Sequence, residues 1–551
     1  MRLFPALSPG CLAHCLTDGF LEPRERNIRM TSSEGTLRPE AHMSPAFLSL
    51  PERVANFARS QSKDIALSDD TRQVTWSALD IAGNRIAQVL TAQGVGVGDT
   101  VAMLVGSKAR SVELMLGIWR CGATIAPLSS LLRAETLAAM LKDCRSPFLI
   151  VDPELEELGA EAARIAGRAL LPAQNITEAA GAQDAQPIAR GCEPEDMSTL
   201  IYSSGTTGLP KGILHTHAAR CDFCAMMALS FRMTPRSRVL STTPIYSNGT
   251  FMMLGAALYV GAQTHLMSKF DAAAFLRVAQ EYEPTHGFVV PTMCQALRAH
   301  TQGSQPDLRS FEVALTAGAP MPADLKEWMM HATGNGLGEL WGLTEGVATY
   351  LPPEDMKNDP VSVGRPMIGM DVRIIDDTGT DVTGSGLEGE IVGRSGCLCS
   401  RYLNRPDETR ALQWKDRDGR LFLRSGDIGV FDDHGALHLR GRKKDMLISG
   451  GLNVYPVDIE RVLLAHPSVT DCAVTGQSDP HWGERPVAYV QTDATDPLDP
   501  ETIRDWVNAR LEKHQQIVRI VMCFEDFPRN ALGKVVKAKL FDTHISEKAK
   551  A

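Results

Sequence analysis

From residue 100 onward the chain alternates short, almost wholly apolar runs with longer amphipathic stretches. Residues 101–105, 123–127 and 148–151 carry nearly no polar position, the pattern of strands buried on both faces. Between them, residues 109–121 and 134–144 space apolar side chains three and four apart, which predicts helices. Strand, helix, strand, helix, strand in this order predicts a largely parallel sheet with helices on both faces. A second series follows, with strands predicted at 239–244, 263–267, 286–290 and 313–316 and helices at 271–282 and 323–332. Two doubly wound α/β halves are therefore expected. Ligands of such sheets bind at the carboxyl ends of strands, where Gly318, Ala319 and Pro320 and the stretch from Leu340 to Glu345 fall.

The pattern changes after Glu345. Residues 363–394 break into short strand-like pieces with Gly/Asp turns, which predicts a small β barrel. Beyond residue 441 mixed α/β returns, with a helix at 456–465, strands at 469–475 and 487–492, a helix at 501–513 and a strand at 518–524. With 551 residues the chain exceeds what one core can serve. The expected division is a disordered extension at 1–42, a large domain at 43–441, a hinge at 442–444 and a small domain at 445–551. The extension faintly imitates a secretory signal, but Pro5, Pro9 and His14 interrupt its apolar part. Met1, Met30 and Met43 all stand as candidate starts.

Composition narrows the function classes. Hydrophobic residues at 44% and charged ones at 22% are globular values, and a net charge of -10 argues against nucleic acid as a partner. No run of about 18 uncharged apolar residues predicts a transmembrane span. The 12 cysteines are scattered and mostly in apolar surroundings, the usage of a reduced, cytoplasmic protein. Cys221 and Cys224 form a C-x-x-C, but without a second pair at zinc spacing it reads as core packing.

The candidate chemistry begins at Tyr202-Ser203-Ser204-Gly205-Thr206-Thr207-Gly208-Leu209-Pro210-Lys211-Gly212. Glycines let backbone N–H groups approach an anion, the hydroxyls of Ser203, Ser204, Thr206 and Thr207 add donors, and Lys211 adds a point charge. This is a phosphate cradle. It is neither a Walker A sequence nor a dinucleotide fingerprint, and the strand-like runs on both sides predict a loop joining two strands. The stretch resembles the phosphate-binding signature of the adenylate-forming superfamily, which includes acyl-CoA synthetases, adenylation domains of peptide synthetases, and luciferases.

Further motifs resemble that family in the same order, so the likeness spans roughly residues 50–545. Gly318, Ala319 and Pro320 resemble the strand end beside adenine. Trp341-Gly342-Leu343-Thr344-Glu345 resembles a segment whose aromatic ring packs on adenine, whose Thr meets the α-phosphate and whose Glu binds Mg²⁺, with Thr206 as a second metal contact; Trp stands here for the commoner Tyr. A π-face suits a purine and a hard carboxylate suits Mg²⁺. Asp427 takes the position that accepts both ribose hydroxyls, Arg442 that of a ribose-binding arginine, and Lys444 that of the hinge residue. Ser449, Gly450 and Gly451 resemble the turn lining the pantetheine tunnel, with Trp482 placed where relatives set an aromatic near CoA. Lys534 resembles the catalytic lysine, whose ammonium offsets repulsion as a carboxylate attacks the α-phosphorus.

The resemblance implies an acid-thiol ligase using ATP, Mg²⁺ and coenzyme A, acting through an acyl-AMP, with catalytic Lys534, Thr344 and Glu345. A carrier-protein-loading enzyme is the second reading, and a non-catalytic nucleotide binder the third. His514-Gln515-Gln516 replaces a basic segment that touches CoA phosphates in relatives. The acyl pocket is expected around Tyr246, Ser247, Asn248, Met252, Val290 and Met293, with Ser247 in place of a family histidine. That stretch is apolar, adaptable and free of lysine or arginine, which favours a medium- or long-chain fatty acid over an aromatic or arylalkenyl acid. The reading leaves room for a homodimer.

Overall fold

The computed structural model describes residues 47–188, 191–203, 210–450, 452–492, 499–529, 535–537 and 540. The extension expected at 1–42 lies outside the described residues.

Two large sheets carry the fold. The seven-stranded sheet runs Arg401–Tyr402, Lys211–Thr216, Met197–Ser203, Thr124–Pro127, Thr100–Leu104, Phe148–Val151, Ala169–Pro172. Its centre is parallel and its burial unbroken, with Ile125, Ala102 and Ile150 all at 0% exposure, as the continuous apolar runs require. The nine-stranded sheet places Leu337–Gly342, Val313–Ala317, His286–Phe288, Arg238–Ser241, Gln263–Leu266 and Ile65–Asp69 side by side in parallel. Each predicted α/β series thus forms the centre of its own sheet.

The edges do not follow chain order. Ile65–Asp69, near the start of the described chain, joins the nine-stranded sheet with Leu67 opposite Thr264. Arg401–Tyr402, from beyond the second series, closes the edge of the first sheet with Tyr402 opposite Ile213. Between the sheets lies the helix Asn248–Val260, whose residues from Gly249 to Leu258 are all buried. A helix apolar on every face belongs in an interior, and its Phe251, Met252, Met253 and Leu254 share one core with Val101 of one sheet and Leu315 of the other. Each such side chain contributes about 1.5–3 kcal/mol.

The β-rich segment forms a five-stranded antiparallel sheet of Asp371–Ile375, Gly389–Arg394, Leu421–Phe431, Gln413–Lys415 and Leu437–Arg442, reaching further than the expected 363–394. The C-terminal residues form another five-stranded sheet, in which Arg519–Met522 pairs in parallel with Gly483–Thr492. Helices Pro456–Leu464 and Pro500–Asn508 cover it, and Ile459, Leu463, Val474, Val490, Ile503 and Val507 make a core of its own. The second helix ends earlier than the expected residue 513. Asn508 stops it by donating to the Ile517 carbonyl at 3.0 Å and accepting from the Ile517 N–H at 2.8 Å.

Among the described residues no helix is long and apolar enough to cross a membrane. Ten cysteines are described, none of them in a disulfide, and burial pushes the thiols of Cys121, Cys144 and Cys221 up to about 11. Cys221 and Cys224 pack in the core, as expected.

Candidate active site

The nucleotide-side motifs leave two adjacent parallel strands at their carboxyl ends. Ala317 lies opposite Leu340, so the turn at Gly318 and the ring of Trp341 emerge together. Gly318 adopts a φ of 92°, which lets the chain turn away from the strand end without a side-chain clash. The Trp341 indole N–H donates to Asp427 Oδ2 at 2.9 Å, and Arg442 Nε lies 3.0 Å from Asp427 Oδ1. Asp427 and Arg442 are cross-strand partners in the antiparallel pair of Leu421–Phe431 with Leu437–Arg442. Three residues separated widely in sequence thus meet at one buried carboxylate. Trp in place of Tyr does more than preserve a flat ring: its N–H fixes the ring on Asp427, a contact invisible in the motif.

The phosphate-side residues are held by a segment the sequence reading missed. Lys211 lies opposite Ser203 where the two strands of the predicted cradle meet; Ser204, Gly205, Thr206, Thr207 and Gly208 lie outside the described residues. Lys211 forms an ion pair with Glu408, and its Nζ sits 5.3 Å from the centre of the Tyr402 ring. The Tyr402 hydroxyl donates to Glu345 Oε1 at 2.6 Å. Burial, reinforced by that carboxylate, holds the phenol far above its ordinary range, so it stays a donor. Glu345 is half-buried and offers a hard oxygen ligand beside Thr344, a donor set that fits Mg²⁺.

Local bonds explain the placement. Asn404 donates to the Asp143 carbonyl and carboxylate at 3.0 Å each, and Tyr202 donates to the same carboxylate at 2.9 Å. Asp143 therefore ties the approach to Glu408 to the strand that enters the cradle. The only advance signal was an aromatic and an acid flanking Pro406, which has no meaning until Arg401–Tyr402 is known to pair with Lys211–Thr216.

A second missed feature supports Trp341 from below. Lys326, on the helix that follows Pro320, donates to Glu339 at 2.5 Å and to the Pro360 carbonyl at 2.6 Å. Both side chains are nearly buried, at 8% and 11% exposure. The pair staples the helix behind the adenine-side turn to the strand that delivers Trp341.

In the stretch expected to form the acyl pocket, Ser247 begins a helix. Its hydroxyl accepts from the Gly249 N–H at 3.1 Å and caps the helix Asn248–Val260. Gly249 lies against Phe288, where a Cβ would come within 2.7 Å of the ring. This close approach seats the helix on the strand His286–Phe288, which leads to Val290 and then to Met293 on Pro291–His300. Met252 and Val290 are buried and Tyr246 is half-buried. The expectation of a neighbourhood without arginine is corrected: Arg220, from the helix His217–Ser230, donates to Asn248 Oδ1 at 2.8 Å. Helix-to-helix packing supplies it, so proximity in sequence did not reveal it.

The thiol-side residues also meet. The Gly450 N–H donates to the Trp482 carbonyl at 2.8 Å, and at φ 60° a Cβ on Gly450 would come within 2.7 Å of the Trp482 ring. Ser449 is buried beside them, while Gly451 and Lys534 lie outside the described residues. Burial, with Arg442 and Lys211 adding to it, holds the Lys444 ammonium below its ordinary value, and Asp445 and Asp427 oppose this.

Comparison with known proteins agrees with this geometry. Residues 54–403 match the AMP-binding enzyme family and residues 458–534 match the AMP-binding enzyme C-terminal domain. The chain is 32% identical over 489 residues to the long-chain-fatty-acid–CoA ligase FadD13 of Mycobacterium tuberculosis, covering 86% of this chain and 93% of that protein. It is 31% identical over 487 residues to the feruloyl-CoA synthase of an Amycolatopsis species, covering 88% and 96%. Among solved structures, the anthranilate CoA ligase AuaEII in complex with anthranoyl-AMP superposes with a TM-score of 0.81 at 26% identity, covering 91% of this chain and 98% of that one. With a large α/β domain and a small C-terminal domain, the chain belongs to the AMP-binding enzyme family and is a carboxylate–CoA ligase of the acyl-CoA synthetase type.

Proposed function

We propose that the protein activates a carboxylic acid with a mainly apolar body, a medium- or long-chain fatty acid first, at a site divided among the residues named above. The observation carrying this reading is that the Trp341 N–H and Arg442 meet at Asp427 while Tyr402, which lies against Lys211, donates to Glu345, and this supports one site for the ribose and phosphate determinants. Trp341 and Gly318 flank the adenine, Asp427 accepts the ribose hydroxyls, and Arg442 orients Asp427. Lys211 and the cradle hydroxyls hold the β- and γ-phosphates. Glu345 and Thr206 would hold Mg²⁺, which supplies charge neutralisation on the phosphates when bound.

In the first half-reaction a carboxylate oxygen of the acid attacks the α-phosphorus, the bond to the bridging oxygen breaks, and pyrophosphate leaves. Thr344 donates to the α-phosphate, and Lys534 offsets the charge gathering between two anions. In the second, the CoA thiolate attacks the acyl carbon and AMP departs. Residues 442–444 are the pivot between a domain at 43–441 and one at 445–551, a motion that exchanges Lys534 for the Ser449–Gly450 turn and Trp482. An arylalkenyl acid is the second reading, favoured by the feruloyl-CoA synthase being nearly as similar as the fatty-acid ligase. Free, buried cysteines support a reducing cytoplasm as its place. Acid-dependent pyrophosphate release across fatty acids of increasing length and a set of cinnamic acids tests the substrate. Release with none of them would end this reading.

Two variants probe the nucleotide side. Asp427→Asn leaves one acceptor oxygen where two are in use, so either Trp341 or Arg442 loses its partner. The KM for ATP is expected to rise about tenfold, the worth of one charged hydrogen bond, in steady-state pyrophosphate release. Glu408→Gln removes the carboxylate that competes with ATP for Lys211. The KM for ATP is expected to fall about two- to fivefold, the scale of a half-exposed ion pair, with a smaller effect at high salt.

A further inference from the structure

Arg220 is an anomaly for an interior. It is 1% exposed, and among the described residues no carboxylate pairs with it. Burial lowers its pKa to about 10, which leaves it charged at neutral pH. The guanidinium is fixed on three sides. Its Nε donates to Thr199 Oγ1 at 2.7 Å, its Nη1 donates to Asn248 Oδ1 at 2.8 Å, and its carbon lies 5.1 Å from the centre of the Phe251 ring. The buried Nη2 has no hydrogen-bond partner. His215, cross-strand from Thr199 and also 1% exposed, has an unpartnered Nδ1 and is kept neutral by burial and by Arg220 itself. Both atoms are buried polar groups without a protein partner, which native interiors rarely leave unmet.

The chemistry of the two side chains decides what faces outward. Arginine only donates, so the oxygen of the Asn248 amide must face it, and the amide NH₂ must face away. Asn248 is half-buried at the first turn of the helix capped by Ser247, next to Tyr246. Of the Arg220–Asn248 pair, what remains to be met is donors: the Asn248 NH₂, locked by Arg220, and the spare Arg220 Nη2.

We propose that Arg220 and Asn248 form a recognition point for an acceptor oxygen carried on the body of the acid, as a hydroxyl, an oxo group or a second carboxylate. Asn248 is the specificity-determining residue and Arg220 positions it. The inference rests on the reading of residues 244–253 as the acyl wall, and it refines the apolar acid proposed above to an apolar acid bearing one oxygen function. A site built to pair a substrate oxygen discriminates strongly against the analogue that lacks it, because its donors are then left unmet.

The test compares matched acids in the first half-reaction, without CoA, by pyrophosphate release with hydroxylamine as trap. Octanoic acid is set against 8-hydroxyoctanoic and octanedioic acids, and cinnamic against 4-coumaric and ferulic acids. Selectivity is the kcat/KM ratio within each pair, so a general loss of rate in a variant cancels. The wild type is expected to favour at least one oxygenated member by about tenfold or more. Asn248→Leu is expected to bring that ratio close to one, and Arg220→Met, which frees the amide to turn, to do the same through KM. Asn248→Asp keeps the shape, gives Arg220 an ion-pair partner that preserves the fold, and turns the donor into an acceptor; it is expected to reverse a preference for octanedioic acid, whose carboxylate only accepts, while a hydroxyl can still donate to the new carboxylate. Ratios near one in every wild-type pair, ratios unchanged in Asn248→Leu, or an unchanged preference for octanedioic acid in Asn248→Asp overturn the inference. A loss in Asn248→Leu that is equal for all acids and confined to the CoA step assigns the acceptor to the pantetheine amides and also overturns it. Failure of every acid to release pyrophosphate instead overturns the acyl-activation reading itself.

Discussion

Lys534→Ala is expected to slow acid-dependent pyrophosphate release by about a hundred- to a thousandfold, the cost of removing one pre-organised donor from a transition state that concentrates negative charge. Transfer of the acyl group from pre-made acyl-AMP to CoA is expected to change by less than about threefold, since that step breaks the acyl–phosphate bond without forming one to phosphorus. The contrast is physical. In adenylation the carboxylate and the α-phosphate repel each other until a cation stands between them, whereas in thioester formation the nucleophile is a single thiolate attacking a carbonyl. The chain is anchored on both sides of Lys534: Arg529 and Val535 face each other in an antiparallel bridge, and Lys537 pairs with Glu460 at 2.6 Å. These anchors belong to the small C-terminal domain, the part proposed to pivot between the two steps. Stopped half-reactions, one started with ATP and acid and one with acyl-AMP and CoA, separate the two steps. Equal losses in both would assign Lys534 a structural task.

Lys326→Met is expected to cost about 3–5 kcal/mol of stability, because it leaves Glu339 buried without its cation. Burial already pushes the Glu339 carboxyl above its ordinary value and Lys326 opposes that shift, so its removal raises the carboxyl further. A carboxyl raised on folding favours the native state below its unfolded pKa and loses that contribution as pH rises through the folded value. The deficit of the variant is therefore expected to widen from about pH 4 toward neutrality. Denaturant melts at several pH values measure it, and Lys326→Met with Glu339→Gln is expected to recover most of the loss at neutral pH. Since Glu339 stands two positions before Trp341, weaker ATP binding is expected alongside the instability. A flat deficit across pH would show that packing, and not the charge, sets the cost.

These cases mark what was legible in advance. The α/β alternation was readable because strands buried on both faces must be continuously apolar and helices between layers must be amphipathic. The helix Asn248–Val260 was legible only as an apolar run, since a helix buried all round has no polar stripe to give its period. The short C-terminal helix was overextended, because the side-chain bonds of Asn508 to Ile517 that end it depend on a returning chain. Asp427 was identified from its motif, but its bond to Trp341 was not.

The order of residues along the chain determined the nucleotide chemistry. A glycine-rich run with hydroxyls and a lysine, an aromatic before Thr and Glu, an isolated Asp and a terminal Gly-Lys each need only local backbone and side-chain type to do their work. Tertiary structure decided which groups surround them. Glu408 reaches Lys211, Tyr402 reaches Glu345, Lys326 reaches Glu339 and Arg220 reaches Asn248 only because strands at the sheet edges are exchanged and two helices pack between sheets. The reason is one of range. Hydrogen bonds and ion pairs act over about 3–4 Å, so their partners are set by register and packing across the fold, which no local pattern encodes.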